Sequence, residues 1–137
     1  MSHITNITVC LVALLHFFFL YTQMVLWQTP KGLKLFKLDP SVAKPFKLLA
    51  LQQGLYNGFL GMGLIASLAL QDPIYSKYGT SFFLFCIICA GILGGLTALK
   101  RILIIQALPA AIALLLVWFG RFLRVVFRFT RRFERFF

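Results

Sequence analysis

Acidic residues are nearly missing from this chain. Asp39, Asp72 and Glu134 are the only three in 137 residues, against 14 Lys and Arg. All three stand at or beyond the ends of long apolar runs, so no paired carboxylates can be assembled for acid–base work or metal binding. Charged residues make up only 12% of the chain, about half the share usual in a soluble domain. Cysteine is also scarce: Cys10, Cys86 and Cys89 lie in apolar sequence, and an odd count there does not form a secreted disulfide framework. A basic n-region and a small-residue cleavage site are lacking at the start, so the first apolar run reads as a retained span and not a cleaved signal peptide. No catalytic triad, zinc set or phosphate loop is present. No catalytic residue, metal or cofactor is therefore expected, and a membrane-embedded enzyme ranks last among the function classes.

What remains is apolar. Hydrophobic residues reach 61% and the mean hydropathy is +0.90, the composition of an integral membrane protein of one-domain size. The formal charge of +11 would suit nucleic acid, but the basic residues flank apolar runs and no nucleic-acid motif carries them. Anionic lipid headgroups and the positive-inside rule account for them better. The expected fold class is all-α: a four-transmembrane-helix bundle over residues 1–119, with spans at about 7–27, 48–70, 81–99 and 102–119. Residues 120–137 form a basic amphipathic tail. Its Arg121, Arg124, Arg128, Arg131, Arg132 and Arg135 share about 100° of arc at helical period, suited to lipid headgroups.

The first connection, residues 28–47, alternates five lysines with apolar residues and is expected to lie along the membrane surface. Within it, Asp39-Pro40 reads as an N-cap followed by proline at the first helical position. Gln71-Asp72-Pro73 reads as a turn, and Pro109 as a kink in span four unless it falls in the first turns. Connections one and three carry seven Lys/Arg (five plus Lys100 and Arg101), which places them in the cytoplasm. The six arginines of the tail oppose that orientation. The expected location is the cell (inner) membrane, as a multi-pass protein.

Span two departs most from an apolar run. Gln52, Gln53, Tyr56 and Asn57 stand among Gly54, Gly58 and Gly61. At 100° per residue the three glycines lie within about 60° of one another, with Gln53 and Asn57 paired on one flank and Gln52 and Tyr56 on the other. Gly91 and Gly95 repeat the small-xxx-small spacing in span three, which predicts spans two and three as the closest pair. His16, Gln23 and Trp27 line one face of span one. Counted from the lysine-rich side at 1.5 Å per residue, Gln23 lies about 6 Å deep, His16 about 16 Å, Gln53 about 9 Å, Asn57 about 15 Å and Gln106 about 6 Å. These depths predict a polar pocket in one half of the membrane, formed by His16, Gln23, Trp27, Gln52, Gln53, Tyr56, Asn57 and Gln106. Interhelical packing through the same hydrogen bonds is the other reading. Cys86-Ile-Ile-Cys89 matches a redox or metal spacing but lacks a nearby His or acid, and reads as packing. His16 reads as a neutral, hydrogen-bonded histidine ahead of a proton carrier.

Four segments occur in order: Trp27-Gln28-Thr29-Pro30-Lys31-Gly32, Gln53-Gly54-Leu55-Tyr56-Asn57-Gly58-Phe59-Leu60, Ala90-Gly91-Ile92 with Gly94 and Thr97, and Gln106-Ala107-Leu108-Pro109-Ala110. Over about residues 5–118 the chain resembles the DUF1304 family of small membrane proteins. The resemblance implies a four-span fold and no settled activity. An acid often stands in that family where this chain has Gln23, and Asn where it has Gln52, so a carboxylate-based mechanism is not implied. Small four-span multidrug exporters are similar in size but depend on a membrane-embedded carboxylate, which is absent. The leading expectation is a transporter or exporter of small amphipathic molecules, working as a homo-oligomer among anionic lipids and without nucleic acid. The alternative is a non-transporting membrane protein that binds a lipid or partner protein.

Overall fold

The computed structural model describes the backbone of residues 1–133 and the side chains of residues 1–120. Helix α1 (His3–Met24) starts at Ser2, whose hydroxyl accepts from the Thr5 amide at 3.1 Å. It ends before Trp27, which the sequence had placed inside span one. The reason is local: Thr29 caps a new helix, α2 (Pro30–Phe36), by accepting from the Gly32 amide, with Pro30 at its first position. Lys37 closes α2 in the left-handed region at φ 53°, and the Leu38 amide reaches back to the Leu33 carbonyl at 3.0 Å. Asp39 and Pro40 then start α3 (Pro40–Ala43), as the sequence predicts.

Helix α4 (Lys47–Ala69) carries the polar and glycine-rich stretch. Helix α5 (Pro73–Thr97) begins eight residues before the expected span three. Asp72-Pro73 is not a free turn: the Asp72 carboxylate accepts from the Ile74 and Tyr75 amides at 2.7 and 3.1 Å, so it is a helix cap. Span four begins as a π-helical turn (Leu103–Ala107), in which the Leu108 amide bonds the Leu103 carbonyl, and continues as α6 (Leu108–Phe133). Pro109, which cannot donate to a carbonyl one turn back, lies in the first turn of α6, directly after the widened turn. The helix runs through Gly120 without a break. The arginine side chains of the tail lie outside the described residues.

The long helices run up and down, each against the next, and α6 returns to α1. Val9, Val12 and Ala13 of α1, Leu64 of α4, Leu84 and Ile87 of α5, and Ala110, Ala113 and Val117 of α6 make one buried cluster. Among the described residues three helices, not the expected four, are long and apolar enough to cross a membrane: His3–Met24, Pro73–Thr97 and Leu103–Gly120. Helix α4 has the length, at 23 residues. Its amides, tyrosine and glycines take away the apolarity.

The glycine contacts correct the predicted pairing of spans two and three. A Cβ built on Gly54 would lie 2.7 Å from Met24 Cγ, one on Gly58 2.3 Å from Leu20 Cδ1, and one on Gly61 3.1 Å from the Ala13 carbonyl oxygen. That stripe therefore faces α1. Gly91 and Gly95 face the π-helical turn, with Ala107 N at 2.8 Å and Leu103 Cγ at 2.3 Å from the built Cβ atoms. The bundle thus consists of two tight pairs, α1 with α4 and α5 with the start of span four. The pairs also meet towards the chain's N-terminal end, where Gly63 packs on Phe83 and Gly79 on Ser67.

Candidate functional site

The axis-facing stripes of α1 and α4 change character along their length. On α1, Val9, Val12 and His16 are fully buried, while Gln23, within about 20° of His16 on the wheel, is only half-buried. On α4, Gln53 precedes Leu60 and Leu64 by seven and eleven residues, within about 20° of both. Leu64 is fully buried and Leu60 packs on the core, yet Gln53 is exposed. These stripes are buried through the middle of the bundle and become exposed towards the lysine-rich end, where the bundle opens.

At the inner edge of this opening the Asn57 amide donates to Gln23 Oε1 at 3.0 Å and to the Gln53 carbonyl at 2.9 Å. Asn57 is 4% exposed, so its position on the α1-facing side is set by burial against the glycine-mediated contact. His16 lies about one turn deeper, level with Gly61, whose built Cβ meets Ala13 and Phe17. Its Nδ1 is 2.8 Å from the Val12 carbonyl, which only accepts, so Nδ1 carries the proton and the neutral ring presents a lone pair at Nε2. That Nε2 is buried and has no partner among the described residues.

The other predicted pocket residues are placed differently. Gln52 and Tyr56 are on the outward side of α4, with Tyr56 59% exposed and edge-on to Phe59 at 6.3 Å. Trp27 leaves the bundle altogether: its Nε1 donates to the Ala43 carbonyl at 2.9 Å and its ring packs on Phe36 at 5.1 Å, pinning α2 and α3 together. Gln106 is half-buried in the π-helical turn. Thr97 bonds its own helix at Leu93. Cys86 is half-buried and Cys89 exposed, both as free thiols. Of the eight residues, the structure joins Gln23, Asn57 and the backbone of Gln53, with His16 about one turn deeper.

Two features escaped the sequence. Gly32 is forced by contact, since a Cβ there would sit 1.8 Å from the Leu26 carbonyl oxygen. The half towards the chain's N-terminal end is not apolar either: Thr5, Ser67, Ser76 and Thr80 are all buried in it. The early start of α5 brings Ser76 and Thr80 into the bundle, which the boundary expected at residue 81 concealed.

A family described as "Protein of unknown function (DUF1304)" matches residues 10–118. The chain belongs to the DUF1304 family. The matched region runs from Cys10 in α1 to Trp118 in the first half of α6, and takes in the Gln23–Asn57 contact, Gly32 and the π-helical turn. The arginine-rich tail falls beyond it. No curated protein and no solved structure matches the chain.

Proposed function

We propose that this DUF1304 chain is a four-span protein of the cell membrane that binds a small amphipathic molecule in the open, amide-lined end of its bundle and exports it. The observation that carries the reading is the exposure of Gln53 on a stripe that otherwise faces the core, beside Asn57 and Gln23. Helix α4 is the second crossing in this reading. Its 23 residues span about 34 Å at 1.5 Å per residue, enough for a hydrocarbon core of about 30 Å. The polar residues that lower its apolarity are those that pair with α1 or line the opening. Amides supply donors and acceptors without charge, and His16 Nε2 supplies a further acceptor at the inner end. A neutral polar head with an apolar body fits that lining. A bundle this small encloses a path by associating with further copies.

The test is growth of cells overproducing the chain against a panel of toxic amphipathic compounds, paired with thermal unfolding of the purified protein in detergent with the same compounds. Export predicts a growth advantage for at least one compound, and that compound raises the unfolding temperature. No growth shift and no thermal shift across the panel would defeat the proposal. The Gln23–Asn57 bond favours a second reading, in which the amides join helices and the protein holds a lipid or partner without transport. A thermal shift with no growth shift would select it.

A further inference from the structure

A cavity lies at the opposite end of the bundle, where α1 and α5 start and α6 passes Gly120. It encloses about 370 Å³, within the ~300–1,000 Å³ usual for small-molecule sites. Ser2, Lys77 and Trp118 line its polar side; Ile74, Leu116 and Val117 line its apolar side. No carboxylate lines it among the described residues. Asp72, the acid nearest in sequence, spends its Oδ1 on the Ile74 and Tyr75 amides.

Lys77 is held in a closed network. Its ammonium lies 3.7 Å from the centroid of the Trp118 ring. The Trp118 indole donates to Ser81 Oγ at 3.0 Å, and Ser81 Oγ donates to the Lys77 carbonyl at 2.8 Å. Tyr78 stands edge-on to the same indole at 5.9 Å. The cation is thus positioned before any ligand arrives, which lowers the entropy lost on binding. Ser2 Oγ and Thr5 Oγ1 are 2.7 Å apart. Thr5 Oγ1 donates to the Leu116 carbonyl at 3.3 Å, so Ser2 donates to Thr5 and its hydroxyl is held within this chain.

We propose that this cavity holds the phosphate of an anionic lipid headgroup, with Lys77 as its donor and the Ile74–Leu116–Val117 wall beside its glycerol. A lysine with an aromatic clamp at a helix end suits an interfacial phosphate, and Trp and Tyr belong at that level of a membrane. The apolar wall favours a lipid over a free phosphate. The proposal does not depend on export, because the two sites are at opposite ends of the bundle.

The test is native mass spectrometry of the full chain in neutral detergent, with phosphatidylglycerol or phosphatidylcholine added. One phosphatidylglycerol should stay bound, and Lys77→Gln should weaken its retention about tenfold, the loss of one charge-assisted contact. Lys77→Arg should retain it, and Arg124→Gln, on the tail, should leave it unchanged. Equal retention of the two lipids by the wild type would overturn the proposal whatever the variants do. So would unchanged retention in folded Lys77→Gln. Displacement by soluble glycerol 3-phosphate at low concentration would assign the cavity to a free phosphate instead.

Discussion

Replacing Gly91 with alanine should separate α5 from the start of span four, and the cost can be worked from the contact. The new Cβ would lie 2.8 Å from Ala107 N, 2.9 Å from Ala107 Cβ and 3.1 Å from Ala107 Cα. Comfortable carbon contacts begin near ~3.5 Å, so the obstacle is backbone that must retreat by about 0.7 Å in a π-helical turn. Overpacking of this kind costs about 1–3 kcal/mol, and the higher helix propensity of alanine returns about 1 kcal/mol. Gly94 is the internal control. Its built Cβ meets only the Ile102 side chain, at 3.3 and 3.4 Å, which can move by tenths of an ångström. Gly94→Ala should therefore be neutral or stabilising, leaving the two variants about 2 kcal/mol apart. The assay is reversible unfolding in mild detergent followed by circular dichroism. Adding Ala107→Gly to Gly91→Ala should restore part of the loss, because it removes the Cβ–Cβ clash but leaves the contact with Ala107 N. If Gly91→Ala and Gly94→Ala unfold alike, these helices do not pack through Gly91 and the two-pair description of the bundle fails.

Lys37 holds a left-handed backbone at φ 53°, so Lys37→Gly should stabilise the chain by about 0.5–1 kcal/mol. Lys37→Val should do the opposite, and an unfolding midpoint that rises for valine would refute the cap. Asp39 accepts from the Ser41 hydroxyl and amide, and these bonds hold its carboxyl below the usual carboxylate range. A depressed folded pKa means stabilisation that is complete above the unfolded pKa and lost as pH falls through the folded one. The α2–α3 connection should therefore loosen at the acid end. Emission from Trp27, tied to α3 through the Ala43 carbonyl, reports it. An identical acid titration in Asp39→Ala would assign the change to another group.

Legibility in the sequence followed the range of the interaction. Asp39-Pro40 announced α3 because cap chemistry is decided within four residues. Asp72-Pro73 has the same chemistry, but after a long apolar run it also reads as a turn, and only the fold shows α5 starting there. The helical wheel correctly gathered Gly54, Gly58 and Gly61 on one face. It could not say which neighbour they meet, since a stripe of small residues names no partner. Depth arithmetic placed Gln23 and Asn57 in the same half of the bundle, and they do bond. It could not place Trp27, because the end of α1 is decided by Thr29 capping the next helix. Pro109 signalled an irregularity in span four, but the π-helical turn that precedes it depends on how that segment seats against Gly91 and Gly95.

The Gln23–Asn57 contact separates the two readings of the site, because glue and pocket make opposite demands on it. Interhelical hydrogen bonds in membranes couple by about 0.6 kcal/mol on average and at most about 1.7. If the amides serve only to join α1 and α4, a cycle of Gln23→Ala, Asn57→Ala and the double variant should show coupling of that size in unfolding free energy. Both single variants would then respond to compounds as the wild type does. If the amides serve a guest, Gln23→Ala should cost little, since Gln23 is half-buried and Asn57 keeps its bond to the Gln53 carbonyl. The compound-dependent thermal shift should nevertheless fall with either change. His16→Phe adds the decisive arm: it removes the unpartnered acceptor while filling the buried space with a ring. Under the packing reading this variant is neutral or stabilising and keeps any ligand response, because a buried acceptor without a partner carries a cost of about 1–3 kcal/mol that the phenyl ring lacks. Under the pocket reading it folds equally well and loses the response to hydroxyl-bearing amphiphiles, while retaining whatever response it has to analogues in which that hydroxyl is methylated.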